Sequence, residues 1–410
     1  MESSILLILL LVILTVHFVT GRVLEFLNLR SLRSDLPEEV SAFYDPEHYK
    51  RSTAYARTNI RFGFLTSTLS FALMFTVLSL GWFGRLDIWI RSFQYSESVT
   101  SLLFFGFLFI GSDLLQIPFQ VYDTFVIEER YGFNKTSPRT FITDKLKGYL
   151  LALLIGGPLL LLFLWLAGSF GPSFWIYFWV VSGLFTLFMT IFYTSLILPL
   201  FNKLKPLDAG ELRDALEDFG RRAGFPMKNI YVMDGSKRSS KSNAFFSGLG
   251  KRKKIVLFDT LVEKHSVPEL VAVLAHEVGH YVKKHVLVSY LIGLLQSGFI
   301  LFLLSRMLFS PALSEALGAQ QSGLHLNLLA FGILFSPVSQ LLGIAANLLS
   351  RRNEFEADAY AAKTAGSDAM ASALKKLSVD NLSNLYPHPA YVFFHYSHPP
   401  LLARLDALKV

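Results

Sequence analysis

Cysteine is missing from this 410-residue chain, and with it go disulfides, thiolate metal ligands and a cysteine nucleophile. Any metal has to sit on His and carboxylate side chains. Charge is scarce too: Asp, Glu, Lys and Arg make up 17% of the residues, against 52% hydrophobic and 14% aromatic. Soluble globular domains carry about 25% charge, so the composition excludes an ordinary soluble domain and points to a membrane protein. Internal repeats and low-complexity linkers are absent.

What the chain does have is long apolar runs. Seven windows, Ile5–Gly21, Phe62–Phe83, Val99–Val121, Tyr149–Ala167, Phe174–Leu200, Val286–Ser305 and Leu326–Leu349, are long enough for a hydrocarbon core of about 30 Å. The first lacks the basic lead and small-residue cleavage site of a signal peptide and is read as a span. Of the 38 Lys and Arg, 35 fall in alternate loops. That asymmetry predicts an odd number of spans with the N-terminus outside and the C-terminus in the cytoplasm. The net charge of +7 is then a topology signal. Lys237 to Lys254 holds seven cations and no acid; it reads as a solvated turn beside anionic lipid, and no nucleic-acid motif accompanies it.

The expected organisation is a transmembrane unit, 1–200, a cytoplasmic block, 201–285, a transmembrane hairpin, 286–349, and a second cytoplasmic block, 350–410. The first block reads as an amphipathic helix (Ala209–Ala223), short strands at Ile230–Met233, Asn243–Ser247 and Lys254–Phe258, and a helix opened by the capping box Ser266-x-x-Glu269 with Pro268 in its first turn.

That helix contains His276-Glu277-Val278-Gly279-His280, an H-E-x-x-H motif. Residues four apart differ by about 400°, so both imidazoles project from one face and reach one zinc ion at about 2.0–2.1 Å. Glu277 lies beside the metal without binding it. From there it can take a proton from zinc-activated water and return it to the leaving amine. The neighbours Leu270, Val271, Val273, Leu274 and Val278 are apolar, and polar groups on so greasy a helix are costly unless paired or metal-bound.

A catalytic zinc needs a third protein ligand. Glu354 and Asp358 share one helical face, whereas Glu356 is turned about 200° from Glu354. Glu354 is therefore assigned as ligand and Asp358 as the carboxylate that orients a ligating imidazole. His285 reads as a headgroup-level residue, and Asp113 as a lone intramembrane carboxylate facing a bundle interior or water-filled space.

HEVGH, the downstream Glu354-Phe355-Glu356-Ala357-Asp358, the stretch Glu128-Glu129-Arg130-Tyr131-Gly132-Phe133-Asn134-Lys135-Thr136 and the tail from Tyr396 to Leu405 together resemble the CAAX prenyl protease 1 family, type I CAAX endopeptidases of the gluzincin group. The resemblance implies an α-helical membrane fold of about seven transmembrane helices around a chamber, capped by a mainly-α zinc protease domain with a small sheet. It implies one zinc per chain and cleavage of the C-terminal tripeptide from prenylated proteins. Asn243 and Ala244 would lie on an edge strand that pairs with extended substrate. His398 and Arg404 would stabilise the oxyanion and hold the substrate or its partner histidine.

Alternative readings are a quality-control zinc protease without prenyl specificity and a transporter-like scaffold with structural zinc. Glu277 separates catalysis from scaffold, because a structural site needs no free carboxylate beside the metal. The membrane would be that of the endoplasmic reticulum in a eukaryote and the cytoplasmic membrane in a bacterium.

Overall fold

The computed structural model describes residues 3–33, 35–225, 230–248 and 254–408; positions 251–253 of the basic run lie outside the described residues. Helices dominate. α1 (Ser3–Ser31) and α2 (Pro46–Ser79) form an antiparallel pair. Asp45 caps α2 by accepting from the His48 backbone N–H at 2.9 Å, with Pro46 in the first turn. The expected second span ran on to Phe83. Helix α2 stops earlier, and Gly81, at φ 61°, turns the chain into α3 (Trp82–Arg91).

Next come α4 (Glu97–Tyr122), with a π turn at Asp123–Glu128, and α5 (Pro138–Leu151), which continues through the π turn Ala152–Gly156 into α6 (Gly157–Phe170). The chain folds back at Gly171–Ser173 into α7 (Phe174–Leu196) and α8 (Leu198–Phe201). Six described segments are long and apolar enough to cross a membrane. One of them, Pro138–Phe201, is 64 residues long and contains two expected spans on either side of that fold-back, which gives seven crossings. At most 22% of any spanning window is buried, and Ile8, Leu153 and Leu295 are more than 60% exposed. Apolar surface on this scale is stable against hydrocarbon, not water.

A small sheet follows: β1 (Leu204–Pro206), then α9 (Glu211–Arg222), β2 (Ile230–Met233), β3 (Ala244–Ser247) and β4 (Lys254–Phe258), in spatial order β1-β2-β4-β3. β2 and β4 are parallel and the other pairs antiparallel. β4 is central, with Ile255, Val256 and Leu257 buried, and β3 is an edge. After α10 (Asp259–Lys264) comes α11 (Val267–Val282), the motif helix, whose capping box is formed by Ser266 and Glu269.

α12 (His285–Met307), α13 (Pro311–Ala316) and α14 (Leu324–Ala365) complete the membrane bundle. Beside α13 Gly84 meets Gly318 so closely that a Cβ on Gly84 would lie 2.1 Å from the Gly318 carbonyl carbon. α14 does not stop where the apolar run does: its 42 residues carry the seventh crossing directly into the protease core. There Ala361 packs with Leu270, Leu274 and Val278 of α11, Leu216 and Phe219 of α9, and Ile255 and Leu257 of β4. α15 (Ser367–Asp380), α16 (Pro389–His395) and α17 (Leu401–Leu408) close the domain.

Asp113 is not lone. It accepts hydrogen bonds from Lys145 at 2.5 Å, Gln120 at 3.3 Å and the Tyr149 hydroxyl. The Glu128–Thr136 stretch docks on the protease side: Glu128 pairs with Lys241 at 2.8 Å, and Arg238 forks onto Asp144 at 2.7 and 2.9 Å.

Candidate metal centre

The helical period that put His276 and His280 on one face of α11 turns that face toward α14. The two helices cross at Gly279, where an added Cβ would lie 3.1 Å from Ala357 Cα and 3.2 Å from its carbonyl oxygen. A side chain at Gly279 would have to push Ala357 back by a few tenths of an ångström. The close crossing brings Glu354, one turn before Ala357, against both imidazoles.

His276 Nε2 and His280 Nε2 are 3.1 Å apart, Glu354 Oε2 is 3.5 Å from the first and Glu354 Oε1 is 3.3 Å from the second. Tetrahedral ligands at about 2.0–2.1 Å from an ion are about 3.3 Å from one another, so the triangle has the dimensions of one face of such a site. Two further observations fit a metal. Glu354 is 4% exposed, yet its Oε2 accepts no hydrogen bond among the described residues. The His276 Nδ1 lies 2.9 Å from Asp358 Oδ1, which fixes the ring with its proton on that side and leaves Nε2 a lone pair. Of the described residues, His276, His280 and Glu354 form the group able to hold a metal ion.

Glu277 flanks this triangle. Burial raises its carboxyl above the ordinary range, opposed by His276, His280 and a hydrogen bond from the Phe246 backbone N–H. That bond ties the motif helix to the edge strand β3. Asn243 is exposed just before β3, and its Oδ1 accepts from the Ala244 N–H at 2.8 Å. Ala244 pairs with Leu257 of β4, and among the described residues no strand pairs with the other edge of β3, the arrangement that strand addition uses.

His398 Nε2 lies 3.4 Å from Glu354 Oε1, with its side chain 64% exposed, so it faces the open side of the centre. Arg404, which the resemblance groups with His398 at the oxyanion, the substrate or its partner histidine, contacts Asp358 and Glu354. Its Nε and Nη2 donate to Asp358 Oδ2 and Oδ1 at 2.7 and 2.6 Å, and Nη2 is 3.6 Å from Glu354 Oε2. The fork rests on the carboxylate that holds His276. Arg351 donates to the Val392 carbonyl at 3.1 Å and to the Tyr396 carbonyl, which fixes the turn leading to His398.

The sequence reading missed His285. It is 7% exposed, with Nδ1 3.0 Å from His280 Nδ1 and Nε2 3.3 Å from Glu356 Oε2. Helical register offered no signal, because residues five apart are about 140° apart around a helix. The contact depends on a break between α11 and α12. A cavity of about 590 Å³ lined by His280, His285, Ser182, Thr186 and Tyr290 extends from the centre between α7, α12 and α14.

The fold and this centre define an integral, multi-pass membrane metallopeptidase. Residues 25–203 match the model for the CAAX prenyl protease N-terminal region of five membrane helices, and residues 206–410 match peptidase family M48. The chain is 36% identical to the probable CAAX prenyl protease 1 of Schizosaccharomyces pombe, over 92% of this chain and 82% of that one. It is 36% identical to the CAAX prenyl protease 1 homologue of Oryza sativa over 94% and 93%, and 34% identical to CAAX prenyl protease 1 of Saccharomyces cerevisiae over 91% and 88%. The crystal structure of S. mikatae Ste24p superposes with a TM-score of 0.94 at 32% identity, covering 99% of each chain. The chain belongs to the M48 peptidases of CAAX prenyl protease 1 type.

Proposed function

We propose that the chain is a zinc endopeptidase that removes the C-terminal tripeptide from prenylated CAAX proteins at the cytoplasmic face of its membrane, that of the endoplasmic reticulum in a eukaryotic cell. The observation that carries the zinc assignment is the triangle of His276 Nε2, His280 Nε2 and Glu354 around an orphaned carboxylate oxygen. One zinc per chain would be held by these three residues. Bound there, zinc supplies a Lewis acid and makes water nucleophilic at neutral pH. Glu277 accepts the proton of the attacking water and delivers it to the leaving amine. Asp358, held by Arg404, keeps His276 in the ligating tautomer. His398 on the open side donates to the oxyanion. The outer edge of β3 at Asn243 and Ala244 pairs with the extended substrate backbone.

Support for the substrate class comes from the names of the relatives and from the site's position. His280 is five residues before the start of α12, and Glu354 lies on the helix of the seventh crossing. In this reading residues 1–200 and 286–349 form the membrane unit, and 201–285 with 350–410 form the protease. The test is cleavage of a farnesylated CAAX peptide beside its unprenylated twin, with and without a zinc chelator, by wild type and Glu277→Gln. We expect chelator-sensitive cleavage of the prenylated peptide, and a Glu277→Gln protein that retains zinc but is inactive. Undiminished cleavage by Glu277→Gln sinks the mechanism. Equal cleavage of both peptides sinks the prenyl specificity and favours general peptide clearance.

A further inference from the structure

The two histidines of the motif are held in different ways. His276 leans on a carboxylate directly, whereas the Nδ1 of His280 faces another imidazole, His285, at 3.0 Å with the rings inclined at 70°. The other nitrogen of His285 is 3.3 Å from Glu356 Oε2, and Glu356 Oε1 accepts from Arg352 Nε at 3.0 Å. Two facing ring nitrogens make a hydrogen bond only if one carries a proton and the other a lone pair. If His280 Nε2 carried its proton, it would aim that proton at the ligand triangle, and His285 Nε2 would turn a lone pair onto a carboxylate. The opposite assignment satisfies every atom: His280 Nδ1–H donates to His285 Nδ1, and His285 Nε2–H donates to Glu356.

The backbone is bent to make this contact. α11 ends at Val282, and α12 begins at His285. Between them Lys284 adopts φ 60°, a left-handed conformation that L side chains rarely take. A continuous helix would turn His285 away from His280. The single left-handed residue folds it back, buried, against the motif.

We propose that His285, backed by Glu356, is a positioning residue that fixes the His280 tautomer and so keeps the Nε2 lone pair on the metal. This rests on the reading that His276, His280 and Glu354 hold zinc. It makes the first residue of the sixth crossing a part of the metal centre, because His285 is bracketed between α11 and the Glu356 side of α14.

The test is zinc affinity of the full-length protein in detergent, measured by competition with a fluorescent chelator, for wild type, His285→Leu and His285→Asn. Leucine fills the space without an acceptor. The asparagine side-chain oxygen falls near the place of the ring Nδ1 and accepts the His280 N–H. The expected result is a loss of about 10–100-fold in affinity for His285→Leu, with most of it recovered in His285→Asn. Wild-type affinity in His285→Leu overturns the proposal, as does an Asn variant as weak as the Leu variant, since packing alone would then account for the loss. A wild-type protein that takes up no zinc overturns the metal assignment instead.

Discussion

Replacing Asp358 with asparagine tests the support of the centre at its most constrained point. The carboxylate is 1% exposed and receives three N–H groups, one from His276 at 2.9 Å and two from Arg404 at 2.6 and 2.7 Å. Asparagine keeps the volume but replaces one acceptor oxygen with an NH2 donor. With that NH2 at the Oδ2 position it opposes Arg404 Nε–H; at the Oδ1 position it opposes both His276 Nδ1–H and Arg404 Nη2–H. Either way the buried guanidinium loses its counter-charge. Removing one partner of a buried pair costs about 3–5 kcal/mol. Glu354 Oε2, 3.6 Å from Arg404 Nη2, offsets part of this, so the lower end, about 3 kcal/mol, is expected for the metal-free protein. The same oxygen is an atom of the ligand triangle. As Arg404 shifts toward it, the metal meets a competitor while His276 loses its orienting acceptor, and zinc affinity should fall about 10–100-fold. Two assays read the two effects: unfolding of metal-free protein in detergent, and chelator competition for zinc. An Asp358→Asn protein that unfolds and binds zinc as wild type does would refute the assigned geometry. In the Arg404→Met background the asparagine should cost far less, because the unpaired cation is then gone; equal cost in both backgrounds would refute the pairing argument.

Two further outcomes follow from the same helices. Glu269 is buried, which opposes ionisation, but hydrogen bonds from Lys376, Ser372 and the Ser266 N–H hold its carboxyl at about 2, below the ordinary 4.5. A depressed value stabilises fully above the unfolded-state value and is lost as pH falls through the folded one. Glu269→Gln should therefore cost roughly 2–3 kcal/mol at neutral pH, with the gap to wild type closing between pH 4.5 and about 2 in melts recorded against pH; a gap independent of pH would count against it. Gly279→Ala places a methyl 3.1 and 3.2 Å from Ala357 backbone atoms. The helical preference for Ala, about 1 kcal/mol, is opposed by overpacking of about 1–3 kcal/mol. The expected results are weaker zinc binding in Gly279→Ala and none in Gly279→Leu by metal analysis, and a Leu variant with full zinc would show that the helix crossing has slack.

Local chemistry made much of this legible in sequence. β2 and β4 fall on the expected residues because β-branched runs bounded by turns are local signals, and the capping box at Ser266 fixed the start of α11. His276 and His280 share a face because an i, i+4 pair specifies one without any tertiary information, whereas Glu354 joins them through the crossing of α11 and α14. What escaped notice depends on events that the apolar pattern does not record. β1 is three residues ending in proline, too short for a periodic signal. The seventh apolar window ends at Leu349 because polarity changes there, but α14 satisfies its own backbone across that change and runs on unbroken to Ala365. His285 came into reach through one left-handed lysine, and Asp113 acquired Lys145 as a partner from a neighbouring helix. The fork of Arg404 onto Asp358 joins side chains 46 residues apart, and no local pattern records it.

A metal site built partly on a transmembrane rod needs protection from the motions of that rod. α14 contains Pro337 within its membrane portion, and a proline interrupts the hydrogen-bond ladder of a helix and permits bending. From Pro337 to Glu354 is 17 residues, about 26 Å at 1.5 Å per residue. If the rod pivoted there, a rotation of only about half a degree would move Glu354 by about 0.2 Å, the tolerance of metal–ligand distances. The close approach at Gly279 and Ala357 moves the pivot. Ala357 is three residues from Glu354, about 4.5 Å, and the same 0.2 Å shift then needs a rotation of about 2.5°. Ala361, one turn further, is buried in the protease core and holds the rod beyond the crossing. Bending of the membrane half of α14 at Pro337 therefore displaces Glu354, Asp358 and Glu356 from α11 far less than a free pivot at Pro337 would. The close packing at Gly279 thus sets the pivot of α14 beside the metal centre rather than at Pro337.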